Sequence, residues 1–396
     1  MKHTCALLVV AAALVGLGSP GNFAAAQDGA ARPARPAAQN RPAKPTAPNV
    51  VEVPGRNEVN EWTISLAGGL LEGTFIRYAA DIAKVLDDGN NLRVIPLVTY
   101  GAVGNVTDLL HLRGVDIAIT QADVLEHFRR ELQISNIQDR IHFISPLFHS
   151  EVHIYTREEF KTIKDLTGRK VAFNTRGSAA NYTGNIVFDR LGVKVEKVFM
   201  NNSLALEAMR KGELAGIVHV VGKPNDLFAK FKPEPGFHFL PIEDDSKFTD
   251  YYVPARLTAE DYPNLIPAGT TVPTIAVQTV LAVFNWPVGS DRYRRVVRFI
   301  DAYFEKFSQL QQPPFQPKWQ EVNAAGTVPG WTRFAAAEEW LKRNREQQRQ
   351  PRVAQQEQFN QFLAAKTGGG QAAVTPRQRE QLFEEFLKWS QARDRR

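Results

Sequence analysis

The chain has 396 residues, 48 Lys and Arg against 42 Asp and Glu, and a single cysteine, Cys5. The positive surplus lies in the ends: residues 1–26 carry +1, residues 27–50 carry +3 and residues 317–396 carry +5, which leaves −3 of the net +6 on residues 51–316. A slightly acidic body argues against nucleic acid as a partner, and a lone cysteine at position 5 excludes disulfides, thiolate metal sites and cysteine nucleophiles from the rest of the chain.

In chain order, Lys2 and His3 precede an unbroken apolar run, Ala6 to Val15, and Pro20 stands before the small residues Ala24, Ala25 and Ala26. The run is shorter than the roughly 20 residues that span a bilayer. Residues 1–26 therefore read as a signal peptide cleaved near Ala26, with export to the periplasm. Residues 27–51 are rich in Ala, Pro and Arg and poor in large apolar side chains. Such a segment cannot bury enough surface to offset its ordering entropy, so a disordered linker is expected.

From Glu52 to Gln316 the chain is too long for one small core and suits two lobes. Strands are predicted at Trp62–Ala67, Leu92–Val98 and Asp116–Thr120, with helices at Thr74–Leu86 and Asn105–Leu112 between them. A second set follows: strands at Val152–Tyr155, Val171–Asn174, Val195–Met200 and Ala215–Val221, a helix at Ala180–Leu191, and another capped by Ser203 and running through Lys211. This alternation predicts βαβ units and largely parallel pairing. The expected architecture is α/β and two-lobed: lobe 1 begins at 52–148, lobe 2 is 149–245, and the chain returns to lobe 1 over 246–316. Small-molecule sites favour clefts between domains, and hinge closure can trap a ligand there.

The turn Tyr100, Gly101, Ala102 to Asn105 joins a strand to a helix, where free backbone N–H groups favour an anion such as a carboxylate. Gln121 follows a strand end and is a further ligand candidate, while Asp123 suits a helix cap. In the second lobe Arg176, Gly177 and Ser178 occupy the equivalent turn; Ser178 suits an N-cap and Arg176 could grip a carboxylate in bidentate fashion. Lys223 follows the last strand and could neutralise a second acidic group; His219 on that strand reads as a core residue. Two cations in the cleft would suit a dicarboxylate or an acidic amino acid. No Gly-x-Ser-x-Gly elbow or His-Glu-x-x-His pair is present, so neither an enzyme nor a zinc site is expected. His149 and His153 would lie about 13 Å apart on an extended segment, too far for shared metal ligation. No cofactor or metal is expected, and the protein is read as a monomer.

Residues 317–396 are predicted to form a helical C-terminal extension. Gln320–Trp331 is a loop-like bridge, and an amphipathic helix starts at Thr332–Leu341. Helical spacing recurs over Gln355–Lys366 and Pro376–Arg393, with Phe383, Phe386, Leu387 and Trp389 as apolar anchors and Gly368–Gly370 as a hinge. Such helices either pack back on the body or dock on a partner or a membrane surface.

Several pieces, in this order and spacing, resemble the solute receptors of TAXI-type TRAP transporters, a branch of the type II periplasmic binding proteins. They are Gly73-Thr74-Phe75 opening the first helix, Thr99-x-Gly101-x-x-x-Asn105, Gln121-x-Asp123, Ile163-x-Asp165-Leu166-x-Gly168-x-x-Val171-Ala172, Gly177-Ser178, and Ile266 to Thr274. The resemblance covers residues 60–312. It implies a periplasmic-binding-protein type II fold, Thr74 as a further ligand contact, and delivery of a small anionic solute to the membrane permease subunits of a TRAP transporter. Ala102 stands where that family usually has Ser, Ala179 and Ala180 stand where it commonly has Gly and a hydroxyl residue, and Lys223 stands where it often has Gly. An alternative of another class is a periplasmic ligand sensor or adaptor whose C-terminal helices engage a signalling partner.

Overall fold

The computed structural model describes residues 60–230, 236–243, 246–366 and 375–393. The expected signal peptide, the linker and Gly368–Gly370 lie outside them. The first half contains β1 (Thr63–Ala67), α1 (Thr74–Leu86), β2 (Arg93–Leu97), α2 (Ala102–His111), β3 (Ile117–Gln121), α3 (Val124–Arg130), α4 (Ile137–Arg140) and the long β4 (Ile141–Arg157). Then come β5 (Lys170–Ala172), α5 (Ala179–Leu191), β6 (Glu196–Val198), α6 (Asn202–Arg210), β7 (Gly216–Val221), α7 (Asp226–Ala229), β8 (Phe237–Phe239), β9 (Tyr252–Thr258) and β10 (Thr271–Phe284). The chain ends in α8 (Asp291–Glu305), α9 (Phe307–Leu310), a 3-10 turn at Pro317–Glu321, α10 (Ala335–Lys366) and α11 (Pro376–Arg393).

The local reasons are those of an α/β protein. In α1, Phe75, Tyr78, Ala79, Ile82, Val85 and Leu86 recur at helical spacing and are buried, which places one stripe against the sheet. Every residue of β3 is buried, as expected of a strand covered on both faces. Asn201, not Ser203, caps α6, and its side chain accepts from Ser203 N.

The strand order is β2-β1-β3-β10-β4-β7-β5-β6, with β8 on β4 and β9 on β10. β2, β1 and β3 pair in parallel, and so do β6, β5 and β7. Each lobe is thus an α/β layer around a three-stranded parallel set. The long antiparallel pair β4 and β10 runs through both. β10 pairs β3 through Thr279–Val283 but β9 through Thr271–Val277. β4 pairs β10 from Ile141 to Glu151, then β7 from Glu151 to Thr156. The β4–β10 register shifts between Gln278 and Val280. There Gln278 Nε2 donates to the Leu147 and Phe148 carbonyls, and Thr279 Oγ1 donates to Phe148 O, so side chains bond carbonyls at the irregularity. The fold is the expected two-lobed α/β type, with β4 and β10 as its hinge.

Lobe 2 takes in more of the chain than residues 149–245. Tyr252, Ile275 and Val277 join one apolar cluster of this lobe, and Leu257, Tyr262 and Ile266 join the other, so the return to lobe 1 comes at the Gln278 irregularity. Both long strands, and α8, went largely unread in the sequence. In β4, Pro146, Glu151 and three histidines interrupt the apolar pattern of a strand that is buried nearly throughout.

The C-terminal segment starts inside lobe 1. Trp319, Val322, Val328, Trp331, Phe334 and Leu341 belong to the lobe 1 core, and burying each large apolar side chain contributes about 1.5–3 kcal/mol. Trp331 Nε1 donates to Ala122 O, and Phe143 forms a bridge with Arg333. Beyond Leu341, Phe359 packs against Phe383 and Phe386, joining α10 to α11. Nothing is described of the side chains of Leu387 and Trp389. Among the described residues, no helix is long and apolar enough to cross a membrane.

Candidate functional site

At the carboxyl ends of β1, β5 and β7 the two lobes meet around a cavity. Its walls include Gly69, Leu70, Glu72, Gly73, Thr74, Phe75, Tyr100 and Gly101 from lobe 1, and Asn174, Ser178, Ala179, Ala180, His219, Val220 and Val221 from lobe 2. In each lobe the next strand is added on one side of the central strand and the one after it on the other, so the winding order reverses there, and ligand crevices of open α/β sheets open beyond such strand ends. The volume that the centre of a water-sized group can occupy is about 40 Å³.

Three helices of ten or more residues begin at this cavity. Gly73 is the N-cap of α1, Gly101 of α2 and Ser178 of α5. The first N–H groups of a helix have no intrahelical acceptor, and the helix dipole makes that end favourable to negative charge. Gly101 has φ +99°, a conformation open to glycine. Across the cleft Gly177, with φ +82°, accepts from Gly104 N at 3.2 Å, so the two predicted turns touch through backbone alone.

The structure brings Thr74, Tyr100, Gly101 and Ser178 together on the cavity wall. Thr74 Oγ1 also donates to Gly222 O of lobe 2 at 3.2 Å. Ser178 caps its helix as expected, accepting from Asn181 N. The other predicted ligand residues are placed elsewhere. Ala102 is fully buried behind the turn. Asn105 is architectural: its amide donates to the Ala67, Gly68 and Ile119 carbonyls and its Oδ1 accepts from Thr99, tying the ends of β1 and β3 to α2. Gly177 serves the contact between turns. The exposed Arg176 lies over the Phe199 ring, 4.0 Å from its centroid. Lys223 Nζ is held by Asp261 at 2.8 Å and by Arg256 O at 2.7 Å. The two cations expected to face the cleft are therefore not brought together, and none of the cavity's walls named above is Lys or Arg.

Gln121 and Asp123 form a buried polar knot between the lobes. Asp123 Oδ2 accepts from Thr183 Oγ1 at 2.7 Å and from Tyr252 OH at 2.9 Å, and Asp123 O accepts from Tyr182 OH. The carboxylate does not cap α3. Burial pushes it up to about 6, although the bonds from Thr183 and Tyr252 pull the other way. Thr183 Oγ1 also lies 3.1 Å from Gln121 Oε1 while Gln121 Nε2 is without a partner. The hydroxyl has one proton, which goes to Asp123; turning the Gln121 amide over lets Nε2 donate to Thr183 instead.

Glu72, which the sequence did not single out, and His219, read there as a core residue, are also wall residues. The Glu72 carboxylate accepts from Asn201 Nδ2, Asn202 N and Ser203 Oγ at the start of α6, another link between lobes. His219 is 4% exposed and both its ring nitrogens lack partners. It pairs in register with His153 on β4. His153 Nδ1 donates to Glu151 O and its Nε2 accepts from Tyr262 OH at 2.7 Å. Burial holds both imidazoles down near 3, so both are neutral at physiological pH. The signal for His219 was its place two residues before the carboxyl end of a strand; its apolar neighbours argued for the core.

Behind the cleft, where β4 passes from β10 to β7, Lys318 Nζ is 2.7 Å from Glu151 Oε1 and also meets His149 O and Glu321 Oε2. The other Glu151 oxygen accepts from Lys223 N. The 3-10 turn at Pro317–Glu321 thus seats a buried cation against the hinge. Among the described residues, no three His, Cys, Asp or Glu side chains converge as a metal site.

No curated protein matches the chain. Solved structures similar to it include a mutant of ArgBP from T. maritima, at 14% identity over 66% of this chain and 96% of that one, with a TM-score of 0.40. The CcmR regulatory domain of Synechocystis PCC6803 in complex with 2-PG is similar at 10% identity, 60% and 96% coverage and a TM-score of 0.37. An amino acid ABC transporter substrate-binding protein from Streptococcus pneumoniae bound to L-arginine gives 12%, 67%, 97% and 0.36. The model of the NMT1-like family matches residues 66–325, which is most of the chain and includes every wall of the cavity. The chain belongs to the NMT1-like family.

Proposed function

We propose that the protein is an extracytoplasmic solute-binding receptor that holds a small anionic metabolite between its lobes and hands it to the membrane subunits of a TRAP-type transporter. The observation that carries this reading is the meeting of three helix N-termini from two hinged lobes at one cavity. Each such end stabilises a bound carboxylate by about 0.3–1 kcal/mol, up to about 2 when partly buried. The absence of Lys and Arg from the named walls leaves backbone N–H groups as the source of positive potential. A binding role rather than a catalytic one is supported by the walls: Ser178 Oγ is engaged by Asn181 N and the Glu72 carboxylate by α6. The apolar run before Ala24–Ala26 supports export, and the TAXI-like motifs support the transporter.

The test is binding by the purified full chain. Thermal-shift and calorimetric titration with small carboxylates should give a saturable rise in stability, about 2.7 kcal/mol at a hundredfold excess over Kd. The variant Ala179→Pro removes one N–H at the first residue of α5, a position where proline is tolerated, after a residue already extended. It should keep the fold and weaken the anion. Unchanged affinity in that variant, or no shift with any anion, would defeat the reading. Loss of cellular uptake of the same solute when the chain is deleted would support the transporter half.

A further inference from the structure

We propose that Glu72 is one half of a clasp that sets how far the two lobes close, and that two asparagine caps of lobe 2, Asn201 and Asn225, form its other half. Each asparagine has two tasks. Asn201 caps α6, its Oδ1 accepting from Ser203 N at 2.8 Å, and its Nδ2 donates to Glu72 Oε1 at 3.0 Å. Asn225 caps α7, its Oδ1 accepting from Leu227 N at 3.0 Å, and its Nδ2 donates to the Glu72 carbonyl at 3.0 Å. A backbone N–H needs an oxygen opposite it, so each cap fixes which end of the amide is oxygen and leaves the N–H donors on the other. Lobe 2 thus orients both donors through its own helices, and Glu72 meets groups already in place. The same stretch of lobe 1 adds further bonds. Asn202 N and Ser203 Oγ donate to the Glu72 carboxylate, Thr74 Oγ1 donates to Gly222 O, and Arg77 pairs with Asp226.

The clasp stands away from the hinge. Glu72 follows β1, which β3 separates from β10, and α6 follows β6, which β7 and β5 separate from β4. Asp123 instead follows β3, which pairs directly with β10. A rotation about the β4–β10 hinge therefore parts Glu72 from Asn201 further than it parts Asp123 from Tyr252. The clasp bonds exist only while the lobes are together, so their strength biases the closing equilibrium. A solute that binds the closed form then has its apparent affinity set in part by that bias.

The experiment measures lobe separation in the full chain without solute, by pulsed electron-spin distance spectroscopy. Labels are placed at Val98→Cys and Glu207→Cys, exposed positions on opposite lobes, with Cys5→Ser removing the native thiol. Asn201→Asp keeps an oxygen for Ser203 N, and Asp caps a helix as well as Asn does. Its second oxygen meets the Glu72 carboxylate, and two carboxylates at one place repel. The distances are expected to shift to longer values, beyond the width of the wild-type distribution; an Asn201 that served only as a cap would leave them unchanged. Glu72→Ala, which leaves both caps intact, should shift them the same way and serves if Asn201→Asp does not fold. Glu72→Gln combined with Asn201→Asp removes the like-charge contact and should bring the distribution part of the way back. Distances unchanged by both Asn201→Asp and Glu72→Ala would overturn the clasp and leave the anion-receptor reading untouched, because no solute enters the measurement.

Discussion

At the back of the hinge, Lys318, Glu151, His149 O and Lys223 N bond one another, whereas in the cleft His219 keeps two ring nitrogens without partners. Both places are buried and both are polar. His153 and His219 repeat the contrast at a single rung of the β4–β7 ladder, one tied to Glu151 O and Tyr262, the other open. The difference separates a completed buried network from a buried ring whose nitrogens bond nothing. A buried polar network stabilises when it is complete, and an incomplete one costs free energy until a partner arrives.

The comparison can be broken most forcefully at Lys318. Lys318→Met strands Glu151 in the hinge, and loss of one member of a buried pair costs about 3–5 kcal/mol. Chemical denaturation should register that loss, and the double change with Glu151→Leu should recover much of it. A loss under about 1 kcal/mol for Lys318→Met would mean that the hinge network is not the structural element described.

Asp123 stands between the two cases, bonded through one oxygen and unpartnered at the other. Its carboxyl is held near 6 in the fold against an ordinary value of 3.8. The folded protein therefore binds this proton more tightly than the unfolded chain. Its contribution to stability is fully present below about pH 4 and is lost as pH rises through 6, a difference of about 3 kcal/mol between the two limits. Asp123→Asn should remove that part of the pH dependence. The difference between wild-type and variant unfolding curves from pH 4 to 8 measures it; a difference that does not change with pH would contradict the burial argument.

Tyr262→Phe deletes the hydroxyl that donates to His153 and accepts from Asn225 N. It should cost about 1–3 kcal/mol, read from the denaturation midpoint. His219→Phe without ligand removes no hydrogen bond and should change stability by less than about 1 kcal/mol. Equal losses at Tyr262 and His219 would erase the distinction between closed and open polar groups.

Much of the frame was legible before any coordinates. The helix at Thr74–Leu86 follows from its apolar stripe and matches residue for residue, and Ser178 was readable as a cap because Ser before a helix accepts an orphan N–H. The turns at Gly101 and Gly177 could be located because glycine and a helix start are both local signals. Three of the predicted ligand residues, Tyr100, Gly101 and Ser178, line the cavity for that reason, and Thr74, which the resemblance implied, lines it too.

What tertiary structure alone decided is which side chains face which partners. Asn105 looked available in the sequence but is consumed by three carbonyls of β1, its following turn and β3. Lys223 looked like a cleft cation until Asp261, 38 residues later, was brought beside it. His219 is buried as the sequence suggested, and that neither of its ring nitrogens has a partner is visible only once β4 and β7 are paired around it. Helices, caps and turns are settled by neighbours within a few positions, so residue order by itself determined them. The hinge pairing of β4 with β10, the seating of Lys318 and the chemistry of the cleft depend on long-range contacts, and only the folded chain supplies those.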